Sequence, residues 1–111
     1  MATRGSVKIV EGDDVIYLYQ HWDGDTLPET VKQALIRGES RWGDFPYLAR
    51  IVFSEMVKDD INGLTGYGIS STLQDSDVYV TIDTEELTVL VRGQDDPMDI
   101  DSFIAIDWSW S

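Results

Sequence analysis

The sequence predicts an α+β domain, a mostly antiparallel sheet with two helices packed on one face. Three observations predict it. Apolar residues alternate as in strands along Val15–Trp22, Val78–Ile82 and Leu87–Val91. Between them, Leu27–Gly38 and Pro46–Ile61 repeat apolar residues at helical spacing instead. Short acidic turns join neighbouring strands into hairpins, which leaves the helices to segregate to one side of the sheet. At 111 residues, with 42% hydrophobic content and no internal repeat, residues 1–111 make one domain.

Residues 1–5 carry no pattern. Ser6–Val10 forms a first strand, and Glu11-Gly12-Asp13-Asp14 turns it into Val15–Trp22. In that second strand Val15, Tyr17, Tyr19 and His21 share one face, while Ile16, Leu18, Gln20 and Trp22 share the other. Both faces are largely apolar or aromatic, which places the strand inside its sheet. Asp23-Gly24-Asp25 breaks it. Thr26-Leu27-Pro28-Glu29 has the form of a capping box, so Thr26→Ala is expected to cost on the order of 1 kcal/mol. Leu27, Val31, Ala34 and Leu35 recur at helical spacing up to Gly38. Asp44 caps the next helix, with Pro46 in its first turn. That helix runs to about Ile61 with Leu48, Ile51, Val52 and Met56 on one stripe, and Asn62-Gly63 ends it.

Leu64–Ser71 is short, punctuated by Gly66 and Gly68, and extended. Val78–Ile82 and Leu87–Val91 pair as a hairpin about the turn Asp83–Glu86. Gln94–Asp101 reads as an acidic loop. Phe103–Trp110 fits a strand or a short helix, and the alternation of its large side chains favours the strand.

The chain supplies little catalytic chemistry. It has no cysteine and one histidine, so disulfides, thiolates and histidine–cysteine metal sites are excluded, and no cofactor or metal is expected. Asp23 and Asp25 are more economically a turn than a carboxylate cation site. No nucleophile elbow surrounds Ser70 or Ser71, and TGYGIS lacks the lysine of a phosphate loop. Tyr17, Tyr19, His21, Asp23 and Tyr67 admit two readings. They are core and turn residues, or they line a groove for a planar ligand such as a nucleotide base.

Charge is the outstanding feature. Eight basic residues against 21 acidic ones give a formal charge of −13. Residues 61–111 hold ten acidic groups and the single cation Arg92. Such a field repels nucleic acid and anionic membranes and favours either basic partners or plain solvation, including adaptation to salt. On the first of these readings Asp75, Asp77, Glu85, Glu86, Asp95, Asp96, Asp99 and Asp101 contact a basic protein surface. Trp108 and Trp110 then provide an apolar anchor. No apolar run approaches the roughly 18 residues of a membrane span, and the N-terminus lacks a signal-peptide core, so a soluble protein is expected.

The strings IYLYQHWDGD, RWGDFPYLARIVFSEMVKDDINGLTGYGIS and DVYVTID resemble a group of small proteins carried by bacteriophages and other mobile elements. The resemblance covers about Val15 to Ile82 and brings no active site with it. It implies a phage accessory protein, in a class rich in inhibitors of host defence such as anti-CRISPR proteins. With one histidine, no cysteine and no nucleophile motif, a non-enzymatic inhibitor acting in the host cytoplasm is expected. A module sequestering a nucleotide signal, and a virion or salt-adapted structural protein, are the alternatives.

Overall fold

A computed structural model describes residues 3–73 and 75–108. In chain order they form β1 (Gly5–Glu11), β2 (Asp14–Gln20), α1 (Leu27–Arg37), α2 (Phe45–Val57), β3 (Tyr67–Ser70), β4 (Val78–Asp83), β5 (Thr88–Val91), β6 (Met98–Asp99) and α3 (Ile100–Ala105). The strands make one sheet in the order β3-β2-β1-β4-β5-β6. Every pairing is antiparallel except β1 with β4, so the α+β class and the mostly antiparallel sheet hold.

Alternation decides what each strand buries. Val7 and Ile9 of β1, Leu18 of β2, Val80 and Ile82 of β4, and Val89 and Val91 of β5 are buried on one face of the sheet. Leu27, Val31, Ala34 and Leu35 of α1 meet them, with Leu48, Val52 and Met56 of α2 and Ile100 and Phe103 of α3, in one cluster. As expected, β2 is interior, held between β1 and β3. No helix among the described residues is long and apolar enough to cross a membrane.

Three local expectations are corrected. The capping box does not form: Thr26 has helical backbone angles, its hydroxyl donates to the Asp23 carbonyl at 2.7 Å, and Glu29 accepts from Gln33 instead. A single 3-10 turn, Gly24–Thr26, leads into α1 and takes over the work of a cap. Asp44 does cap α2, accepting from the Tyr47 amide at 3.3 Å, but α2 stops at Val57. Asp59 and Asp60 follow at once, where the helix dipole disfavours negative charge, and Ile61 is 74% exposed. Finally, the strand expected over Phe103–Trp110 does not start at Phe103: Phe103–Ala105 complete a short helix that begins at Ile100, and residues 109–110 lie outside the described residues. Asp99 accepts from the Ser102 amide at 2.7 Å, and Ile100, Phe103 and Ile104 then fall on a helical stripe.

Candidate functional site

The aromatic set does not assemble into one pocket. Tyr17 and Tyr19 stand on the sheet face away from the helices, because their even-numbered neighbour Leu18 is in the core. Tyr19 Oη and His21 Nδ1 share a hydrogen bond of 2.9 Å, and His21 lies edge-on to Trp22 with ring centroids 5.3 Å apart. The histidine is thus tied into its own strand end, and its backbone N–H donates to the Gly66 carbonyl at 2.7 Å. Tyr67 is the cross-strand partner of Gln20, so it points to the helix side, opposite Tyr17 and Tyr19. Asp23 is exposed in a left-handed turn conformation, φ 57°. The shared groove read from Tyr17, Tyr19, His21, Asp23 and Tyr67 is therefore corrected by one parity: adjacent positions of a strand face opposite ways.

On its own side Tyr67 does line a groove. Ile16, Leu18, Tyr67 and Ile69 form its floor, Phe53 and Val57 of α2 its wall, and its volume is about 660 Å³. Burial first, then the carboxylates of Asp60, Asp23 and Asp59, push the Tyr67 phenol above its ordinary pKa. Arg50 also borders the groove. The face carrying Tyr17 and Tyr19 is partly covered by the approach to β4. Ser6 and Ser76 share a hydrogen bond of 2.7 Å, and Arg92, 5.2 Å above the Tyr79 ring, donates to the Ser76 carbonyl at 3.1 Å.

The acidic candidates divide between the two ends of the strands. Asp75, Asp77, Asp95 and Asp96 gather where β4 begins and β5 finishes. Glu85, Glu86, Asp99 and Asp101 lie at the opposite end, where β4 finishes and β5 begins. A strand of six residues such as β4 separates them by about 17 Å. The second end gains members that the linear sequence does not connect. Parallel pairing of β1 with β4 sets the turn Glu11–Asp14 beside the turn Asp83–Glu86. The Thr84 amide donates to the Val10 carbonyl at 2.9 Å, and a Cβ on Gly12 would lie 3.2 Å from Glu85 Oε1. Glu11, Asp13, Asp14, Asp83, Glu85 and Glu86 thus share one end, and neither turn contains a lysine or arginine. Asp83 orders its own turn by accepting from the amides of Glu85 and Glu86 at 2.9 and 3.0 Å.

Cations are not confined to the far side: Gly43, two residues from Arg41, adjoins the Asp83–Glu86 turn, where a Cβ on it would lie 3.8 Å from the Thr84 carbonyl. Lys32, Arg37, Arg41, Arg50 and Lys58 lie on or beside α1 and α2. There, the Lys58 ammonium at 2.8 Å, aided by Arg37 at 3.2 Å, holds Glu55 below the usual carboxylate range. Trp108 is no surface anchor: it is buried, its ring centroid 5.0 Å from that of Phe103, and its indole N–H donates to the Phe103 carbonyl at 2.8 Å. Trp110 lies outside the described residues. Among the described residues no three histidine, aspartate or glutamate side chains converge as a metal site would require. Compared with known proteins, the chain matches no family model, no curated protein and no solved structure.

Proposed function

We propose that this chain is a non-enzymatic accessory protein of a phage or mobile element that inhibits a host defence protein by covering a basic, nucleic-acid-binding surface. One observation carries the reading: two adjoining hairpin turns present six carboxylates and no cation at one end of the sheet. Carboxylates of adjoining turns that fall within the Debye length, about 8 Å at physiological salt, act together with little screening between them. A groove built for nucleic acid offers lysine and arginine to a row of phosphates, and a rigid carboxylate array offers it the same sign. Nucleic acid itself is repelled by that array. The phage resemblance supports the biological setting, a host cytoplasm.

Phage plating on a host with an active defence system tests the proposal. Expression of the chain should restore plaques. Replacing Asp13 and Asp14 by Asn and Glu85 and Glu86 by Gln should abolish the effect, while neutralising Asp75, Asp77, Asp95 and Asp96 should preserve it. Equal loss from both quartets would make the charge a matter of general solvation, as in a salt-adapted structural protein. Failure of the unaltered chain across CRISPR and restriction hosts would end the inhibitor reading.

A further inference from the structure

The free edge of β3 offers a second surface, independent of the acidic end. Antiparallel ladders alternate between positions that exchange hydrogen bonds and positions whose amide groups point outward. The bond from His21 N–H to the Gly66 carbonyl fixes that phase at the entry to β3. The pairs Tyr19 with Gly68 and Tyr17 with Ser70 share it, so Tyr67 and Ile69 turn their N–H and C=O groups away from β2. Since β3 ends the sheet, those groups face open space, and no hydrogen bond among the described residues engages them.

The same two residues send their side chains into the groove of about 660 Å³ beneath α2. A strand laid along this edge would therefore find backbone partners and an apolar slot together. Sheets commonly protect such an edge with a lysine, a proline or an inward charge, and Tyr67-Gly68-Ile69-Ser70 has none of these. Ile69 is 58% exposed, and beside it Ile61 and Leu64 are 74% and 99% exposed. Apolar side chains left in water next to an unpaired edge mark an interaction site more readily than scattered ones do.

We propose that β3 accepts an extended segment of another protein by strand addition, its apolar side chains entering the α2–β3 groove and its flanking lysine or arginine meeting Asp59 and Asp60. Charge selects this occupant. Asp60 and Arg50 both border the groove, Asp59 lies close enough to act on Tyr67 beside Asp60, and the chain as a whole carries −13. A second copy would bring a like charge of the same size, which opposes association through this edge. A basic strand is attracted instead, and main-chain bonds with alternate side chains in pockets are the known physics of strand addition.

The test uses the full, isotope-labelled chain and a short peptide alternating lysine and valine. In the free protein the Tyr67 and Ile69 amides should exchange with solvent at least about tenfold faster than those of Gly68 and Ser70. Peptide should shift the Tyr67 and Ile69 signals and slow their exchange about tenfold, while a glutamate–valine peptide does neither. Ile69→Pro removes an N–H that makes no internal bond, so the sheet should persist and peptide binding fall about tenfold. If that variant unfolds, Asp59→Asn with Asp60→Asn decides. It should weaken binding severalfold more than Asp95→Asn with Asp96→Asn, a charge-matched pair at the far side of the sheet. Three outcomes would overturn the proposal: no response at millimolar peptide, shifts confined to the turns 11–14 and 83–86, or groove shifts without protection at Tyr67 and Ile69. Concentration-dependent self-association through β3 would overturn it too.

Discussion

The Trp108 indole donates to the Phe103 carbonyl at 2.8 Å while its ring lies tilted at 31° over the Phe103 ring. This pair closes the end of the core over α3, because the carbonyl it satisfies belongs to the last turn of a short helix. Trp108→Ala should therefore cost about 3 kcal/mol, the usual cost of deleting a buried large aromatic. Trp108→Phe, which keeps the packing and loses the donor, should cost about 1 kcal/mol. Urea titration followed by far-ultraviolet dichroism measures both, and equal small effects would mean that the segment after α3 is not docked.

The two helix starts predict opposite outcomes for similar substitutions. Asp44 accepts from the Tyr47 amide, so Asp44→Ala should cost about 1 kcal/mol. Thr26 offers α1 no side-chain cap, and its exposed hydroxyl donates only to the Asp23 carbonyl. Thr26→Ala should stay within about 0.5 kcal/mol. A larger loss for Thr26→Ala in denaturant titration would restore the capping box read from the sequence.

Tyr67 gives a pH dependence with a definite sign. Burial and the neighbouring Asp60, Asp23 and Asp59 carboxylates raise its pKa in the folded state. Stability that is complete below the ordinary tyrosine value of about 10 should then be lost as pH rises through the folded value. Asp59→Asn with Asp60→Asn should move the Tyr67 titration partway back toward normal, since burial, the larger cause, remains. Difference absorbance of the phenolate against a Tyr67→Phe variant reads that shift.

The crowded turns predict a response to salt. Six carboxylates on Glu11–Asp14 and Asp83–Glu86 repel one another, so neutralising Asp13, Asp14, Glu85 and Glu86 should stabilise the fold by on the order of 1 kcal/mol at low salt. At 1 M salt, where the Debye length falls to about 3 Å, the gain should largely vanish. Thermal melts at both salt levels check it. A gain that ignores salt would mean that the turns are not electrostatically coupled.

Much of the fold was legible because it is local. β1 with β2, α1, α2, and β4 with β5 each announce themselves by periodicity and a turn within a few residues. Apart from the local slips at the start of α1 and the end of α2, the misreadings required knowledge of a distant partner or of one residue's phase. Tyr67 looked like a companion of Tyr19 until the register paired it with Gln20, and a one-residue slip reverses the face of every side chain. α3 was hidden because alternation was read from Phe103, whereas the helix is specified from its cap at Asp99. The acidic site was half legible. Glu85 and Glu86 were singled out, but Glu11, Asp13 and Asp14 join them only through a parallel pairing between residues more than 70 positions apart, which no local pattern encodes.

That pairing also sets a timetable. β1 is made first, yet its second neighbour in the sheet is made only after both helices and β3. A nascent chain that has not reached Val78 holds β1 with one bare edge, and Val7 and Ile9 lack their neighbours Val80 and Ile82. Long-range strand pairings of this kind are slow, and chains waiting for them expose sticky surface. The β4–β5 hairpin, arriving late as a ready-made unit, converts two half-sheets into one. Ribosome-stalled chains ending before and after that hairpin should accordingly differ sharply in protease resistance, with the earlier ones digested.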